Sequence, residues 1–330
     1  MARKYNVYGI GNALVDIQYR VEPGFFETAG IEKGAMTLIE EDRQKALLAQ
    51  LADAPAERSS GGSAANTMIG LSCFGGSAYY GCKVADDEDG RFYLNDLVEA
   101  GVGADSSTHT GGRTGTCLVM ITPDADRTMN TFLGITATFG PEQVESDVAA
   151  ESDAVYIEGY LLSADSGFEA AQRAQKAAQD AGTLVALTLS DPFIVTVFKE
   201  RVKTLIDGGI DLLFCNESEA QAYTETDSTD AACQALDGLV AEYAVTCGPD
   251  GARVGRKGTV HHSPGVKVDA LDTNGAGDMF AGAYLYGITN GHSLEEAAKL
   301  ATYASAQVVA KYGPRLDKNL KGEVQGILGR

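Results

Sequence analysis

The sequence predicts an α/β protein in which a mostly parallel sheet carries helices on both faces, with two β excursions that form either a small β-sheet lid or an ordinary decorated edge. Three observations predict it. Short apolar runs alternate with amphipathic segments through most of the chain, the pattern of repeated strand–helix units. Two stretches, residues 17–39 and 108–138, break that rhythm with alternating, Thr- and Gly-rich sequence. Finally, a glycine-rich turn at 272–278 stands directly before Met279-Phe280-Ala281-Gly282-Ala283-Tyr284-Leu285, an apolar run that predicts a buried helix.

Taken in order, residues 5–10, 154–157, 184–189, 211–215 and 243–246 are short apolar runs that predict central strands. Helices are predicted between them. Residues 40–52 carry Leu47, Leu48 and Leu51 on one face; 166–181 is Ala-rich with Gly182 just beyond it; 229–242 and 293–311 follow the same period. Ser293 with Glu296 makes a capping box. Residues 116–121 and 127–132 predict a hairpin about the turn Pro123-Asp124-Ala125-Asp126. Both irregular stretches leave the sheet near its strand ends, so residues 1–16, 40–107 and 139–330 are assigned to the large unit, and 17–39 and 108–138 to a small β lid or, equally on the pattern alone, a decorated edge.

Composition narrows the functional classes. The chain has 330 residues, 44% hydrophobic and 22% charged, as expected of a folded globular protein. A formal charge of −20 repels phosphate backbones and anionic lipid, which argues against nucleic-acid and membrane-surface roles. The six cysteines form no CxxC pair and lie mostly within apolar runs, and the four histidines lack metal-ligand spacing. Buried thiols in a reducing cytosol are the expectation, with no structural zinc. The sequence enters its first strand at once, with no apolar run of signal-peptide or spanning type, so a cytoplasmic protein is expected.

The turn Asp272-Thr273-Asn274-Gly275-Ala276-Gly277-Asp278 has the order that a phosphoryl-transfer site needs. Gly275, Ala276 and Gly277 bring bare N–H groups to a helix N-terminus, where unpaired donors and the dipole favour an anion. Asp278, in the first turn, is the candidate base for a hydroxyl proton. A glycine turn with an acidic cap is the plainer alternative.

Other candidates carry similar alternatives. Asn12 and Asp16 follow the first strand and suit a vicinal diol, or a turn and a lid strand. Gly62, Ser63 and Asn66 form a turn at a helix start. Asn216 and Glu219 lie beyond a strand, where they could approach Mg²⁺ or cap a helix. Thr246, Gly248 and Gly251 could shape a nucleotide loop or turn a hairpin. Arg127 sits on the predicted lid, within reach of a phosphate on closure or exposed. Phe132, Tyr160 and Phe193 could stack on a purine or fill the core.

Four elements in order resemble the ribokinase-like, or PfkB, family of sugar and nucleoside kinases. Gly61-Gly62-Ser63-Ala64-Ala65-Asn66, trailed by Gly81 and Asp87-Glu88-Asp89-Gly90, is similar to its first signature, and 272–278 to its second. Asn216-Glu217-Ser218-Glu219 resembles its NxxE element, and Thr246-Cys247-Gly248-Pro249-Asp250-Gly251 its TxGxxG loop. The resemblance runs from Tyr5 to Leu316.

Details resemble the adenosine-kinase branch: Asn274 within the second signature, Leu189-Ser190-Asp191-Pro192-Phe193, Phe214-Cys215-Asn216-Glu217-Ser218-Glu219-Ala220, and Gly11-Asn12-Ala13-Leu14-Val15-Asp16-Ile17. Ala13 and Asp191 depart from the branch, which usually has Pro and Ala there.

The resemblance implies a ribokinase-like fold, in which the two β excursions form a small β-sheet lid over the site, and transfer of the γ-phosphoryl group of ATP, with Mg²⁺, to a primary hydroxyl of a ribose-type ring. Asp278 would be the base, with Gly275, Ala276 and Gly277 around the transferring group. Asn12, Asp16, Gly62, Ser63, Asn66, Arg127 and Tyr160 would bind the acceptor side, and Asn216, Thr246, Gly248, Gly251 and Asn274 the nucleotide. Glu219 would hold Mg²⁺ through water, and Asp272 with Asn274 would frame a monovalent-cation (K⁺) site. Adenosine is the first acceptor, before a sugar (fructokinase or ribokinase type) or inosine and guanosine; a monomer or homodimer is expected. A non-catalytic nucleoside or sugar sensor is the reading from another class. An NAD-dependent dehydrogenase fits poorly, because the third glycine after Gly9-Ile10-Gly11 falls on Leu14.

Overall fold

A strand that is apolar on both sides of its pleat must be covered on both faces. The computed structural model describes residues 3–34, 36–52, 54–105, 107–123, 127–316 and 318–330. Its strands in chain order are β1 (Tyr5–Ile10), β2 (Leu14–Arg20), β3 (Met36–Leu38), β4 (Ala56–Gly61), β5 (Ala78–Gly81), β6 (Val102–Ala104) and β7 (Gly115–Ile121). There follow β8 (Arg127–Phe132), β9 (Ser152–Glu158), β10 (Leu184–Thr188), β11 (Leu212–Asn216), β12 (Glu242–Thr246), β13 (Gly251–Arg256) and β14 (Thr259–Pro264).

A 9-stranded sheet runs β14-β13-β12-β11-β10-β9-β1-β5-β6. It is parallel from β12 to β6, and β13 and β14 add an antiparallel edge. Neighbouring residues of one strand feed opposite cores, as the two-residue period demands. Val7, Tyr156 and Phe214 pack beneath the helices Ser63–Cys73, Ala276–Thr289 and Leu294–Val309. Tyr8, Ile157 and Leu213 pack beneath Asp165–Asp180, Lys199–Asp207 and Thr229–Leu236.

A second, 5-stranded sheet has the order β3-β8-β7-β2-β4. The expected hairpin is present, with Thr116 opposite Phe132 and Ile121 opposite Arg127; residues 124–126 of its turn lie outside the described residues. This sheet takes in two segments that the sequence reading gave to the large unit. Residues 14–16 enter it directly after β1, and β4 pairs with β2. Ala-Glu-Arg-Ser-Ser-Gly has no apolar alternation, and β4 is an exposed edge through its first residues, so its sequence carries little strand signal.

The predicted helices at 40–52, 166–181 and 293–311 are observed as Glu41–Gln50, Asp165–Asp180 and Leu294–Val309, the last with the Ser293–Glu296 capping box. The helix expected at 229–242 stops at Leu236, and Glu242 already belongs to β12. Leu239 and Val240 extend the apolar period past Gly238, but the chain there is turning back into the sheet. No helix among the described residues is long and apolar enough to cross a membrane.

Candidate active site

The parallel strands β1, β9, β10, β11 and β12 end on one side of the sheet, and the smaller sheet lies over those ends. A cavity of about 700 Å³ opens between them. Its floor is polar: Asn12, Glu158, Thr188, Asn216 and Thr246 come from or follow the strand ends, and Ser63, Asn66 and Asp278 from two helix N-termini. Its roof is largely apolar, with Leu14, Met36, Leu38, Cys117, Met129 and Leu133 beside Asp16 and Thr131.

Asp278 stands in the first turn of the helix Ala276–Thr289. The turn before it requires glycine: Gly275 has φ +75°, and a Cβ there would lie 2.2 Å from the Pro314 carbonyl oxygen. Ser63 Oγ donates to Asp278 Oδ1 at 2.6 Å, and Asn66 Nδ2 to Oδ2 at 3.1 Å. Burial raises the Asp278 pKa to about 6, against the pull of these two hydrogen bonds. The carboxylate therefore ionises near neutrality, beside helix N–H groups suited to an anion.

The acceptor-side candidates other than Arg127 line the same cavity, with Asp16 in its roof. Gly62, at φ +97°, brings its α-carbon so close to Asn12 that a Cβ would lie 2.2 Å from the Asn12 carbonyl oxygen. Asp16 is buried, and burial raises its pKa to about 6 although Arg315 and Arg127 draw it down. Tyr160 and Phe193 line the cavity, and the Tyr160 hydroxyl lies 3.5 Å from Asp191 Oδ2. Phe132 does not line it, because alternation along β8 sends Met129 and Thr131 to the cavity and Phe132 to the other face.

On the nucleotide side, Asn216 and Glu219 line the cavity and also cap the helix Glu217–Thr224. Glu219 Oε2 accepts from Asn216 N at 3.0 Å and Oε1 from Asn216 Nδ2 at 2.6 Å. Burial raises its pKa to about 7. Each oxygen keeps a lone pair for water, so the residue fits a hydrated Mg²⁺ held at one remove. Thr246, Gly248, Asn274, Ala276 and Gly277 line the cavity; Gly251 instead packs against the Ser263–Gly265 backbone.

Two expectations meet a different arrangement. Arg127 Nη2 pairs with Asp272 Oδ2, and both side chains are buried, at 8% and 4% exposure. Asp272 also accepts from Asn274 N at 3.1 Å and Gly313 N at 2.8 Å. Its charge is matched by a guanidinium, so these residues as placed do not fit a monovalent cation. Neither Arg127 nor Asp272 forms part of the cavity wall.

Glu158 is a site residue that sequence reasoning missed. Its Oε1 accepts from Asn12 N at 3.2 Å and Asn12 Nδ2 at 3.0 Å, and its Oε2 from Ala64 N at 2.8 Å. Burial raises its pKa to about 7 against those bonds. The available signal was an acid directly after the apolar run 154–157, at the carboxyl end of the strand where a site would lie.

The pfkB family carbohydrate kinase model matches residues 49–320. The chain belongs to the pfkB carbohydrate kinase family. Like other pfkB kinases, it is a phosphotransferase with an alcohol group as acceptor, built on the ribokinase-like fold. A solved adenosine kinase from Sinorhizobium meliloti is 38% identical, with 98% of this chain and 99% of that one covered at a TM-score of 0.90. A probable sugar kinase from Rhizobium etli CFN 42 is 34% identical, with 99% of each chain covered and a TM-score of 0.91. An adenosine kinase from Saccharomyces cerevisiae is 27% identical over 92% of this chain and 95% of its own. These likenesses place this pfkB protein in the adenosine-kinase-like branch.

Proposed function

We propose that this pfkB kinase is a cytosolic enzyme that transfers the γ-phosphoryl group of ATP to the 5′ hydroxyl of adenosine. The observation that carries the reading is Asp278 on the cavity floor, held by Ser63 and Asn66 beneath an apolar roof. Asp278 takes the proton as the hydroxyl oxygen bonds to the γ-phosphorus and the bond to the bridging β–γ oxygen breaks, giving AMP, ADP and a proton. N–H groups of Ala276 and Gly277 meet the charge on the transferring group. Mg²⁺, when bound, supplies further neutralisation of the polyphosphate, with Glu219 orienting its water.

Asn12 and Asp16 bind the ribose hydroxyls, and the base lies under Leu14, Met36, Leu38, Met129 and Leu133. The roof supports a nucleoside over a free sugar, whose hydroxyls would be buried against apolar groups without partners. Similarity to proteins named adenosine kinase supports the same choice. Arg127 would have to leave Asp272 to reach the γ-phosphate when nucleotide binds, and the carboxylate it left would then be open to a cation.

Turnover with ATP should be compared for adenosine, inosine, guanosine, ribose and fructose by ADP release. Adenosine is expected to give the highest kcat/KM. Strong turnover of a free sugar with none of adenosine would replace this reading by a sugar kinase, and no ADP with any acceptor would leave a sensor.

A further inference from the structure

We propose that Arg315 is a positioning residue for phosphoryl transfer, which fixes the side-chain amide of Asn66 and through it the carboxylate of Asp278. The proposal rests on the reading of Asp278 as the base.

Arg315 belongs to the segment after the helix Leu294–Val309 and is 249 residues from Asn66 in the chain. Its guanidinium serves three elements at once. Nε donates to Asn66 Oδ1 at 3.1 Å, Nη1 to Asp96 Oδ2 at 2.8 Å and Nη2 to Ser60 Oγ at 2.6 Å. Asp96 Oδ2 in turn accepts from Ser60 N at 2.7 Å. The side chain is only 15% exposed and lies outside the cavity wall, so it touches no reactant.

The chemistry of the amide makes this contact decisive. A guanidinium only donates, so the Asn66 atom that faces it must be the carbonyl oxygen. The amide nitrogen is then turned toward Asp278, where it donates to Oδ2. A flipped Asn66 would set its oxygen against a carboxylate and lose both bonds. Oδ2 of the base is thus oriented through Asn66 by one planar cation that cannot rotate without breaking three bonds.

Its charge also reaches other groups. Asp16 faces both Arg315 and Asp278, and Tyr156, Glu158 and Tyr160 feel the Asp278 charge. An effect through charge alone must therefore be separated from one through Asn66. Arg315→Lys keeps the charge but lacks the fork; Asn66→Ala removes the relay.

The full chain should be assayed with ATP and whichever acceptor in the panel above turns over fastest, as Arg315→Met, Arg315→Lys, Asn66→Ala and the double variants. Arg315→Met and Arg315→Lys are each expected to lower kcat by roughly 10- to 100-fold with little change in the KM for ATP. In Asn66→Ala, adding Arg315→Met should cost nothing further, because the relay is already gone. If Arg315→Met fails to fold by thermal melting, the Arg315→Lys and Asn66→Ala cycle gives the same decision. Wild-type kcat in a folded Arg315 variant, or losses that multiply in the double variant, would overturn the proposal. Near-wild-type turnover by Asp278→Asn would overturn it together with the base assignment, whereas an inactive Asp278→Asn beside a fully active Arg315→Met would remove the proposal alone.

Discussion

Arg127 and Asp272 form a buried ion pair that ties the cavity-facing side of β8 to the turn preceding the helix Ala276–Thr289. Asp272→Ala takes from Arg127 the carboxylate that offsets its burial. Removing one member of such a pair costs about 3–5 kcal/mol. A drop of that size in urea-unfolding stability is expected, and a change under about 1 kcal/mol would mean that solvent reaches the pair freely.

Asp278→Asn keeps the shape of the side chain but not its basicity. Turnover should fall by roughly 10²-fold or more, with nucleotide binding retained. For the unaltered protein, the base is active only when ionised, and its pKa is about 6. Activity should be flat above neutrality and fall as pH drops through about 6, approaching about tenfold per unit. A kcat/KM profile without an acid limb between about 5 and 7 would count against Asp278.

Four buried carboxyls share one direction of shift. Asp16 and Asp278 are raised to about 6, and Glu158 and Glu219 to about 7, each chiefly by burial. The folded chain therefore holds protons that the unfolded chain releases near pH 4. Stability contributed by these groups is complete below their unfolded pKa values and is lost as pH rises through about 6 to 7. Urea midpoints should decline from about pH 5 to about pH 8, and Glu158→Gln should flatten that decline. An unchanged slope in the variant would show that Glu158 ionises normally.

Glu158 accepts from both the backbone and the side chain of Asn12 and from the start of the helix Ser63–Cys73. Glu158→Ala leaves those donors without their acceptor and frees Asn12 to rotate. The expected result is a KM for the acceptor raised about 10-fold or more, with KM for ATP little changed, because the lost bonds lie on the acceptor side. Equal effects on both substrates would assign Glu158 a general structural role instead.

Periodicity and local chemistry made much of this molecule legible. The central strands are built on apolar runs buried on both faces, and the 272–278 turn pairs glycines with a helix start. What stayed hidden depends on contacts that no local pattern encodes. β4 is a polar edge strand held by β2, and Arg315 is a lone arginine in a loop until folding sets it against Asn66. Arg127 and Asp272 could each be named as candidates, but their pairing depends on how the smaller sheet settles over the turn. Gly251 fits a loop motif yet works by packing, since the motif cannot tell a backbone turned toward a ligand from one turned toward a strand.

The apolar roof supplies the test of acceptor choice. Met129 faces the cavity from the middle of β8 and Leu133 from the residue after it, on the side away from Phe132. A purine base would cover them, whereas ribose or fructose bound at Asn12 and Asp16 would not extend so far. Leu133→Ser should therefore raise the KM for adenosine about 10-fold, the size expected for losing roughly 1–2 kcal/mol of apolar contact. The turnover of any free sugar should change little, because its contacts are the polar groups Asn12 and Asp16. Parallel losses for nucleoside and sugar would mean that residue 133 acts on closure of the smaller sheet rather than on recognition of the base.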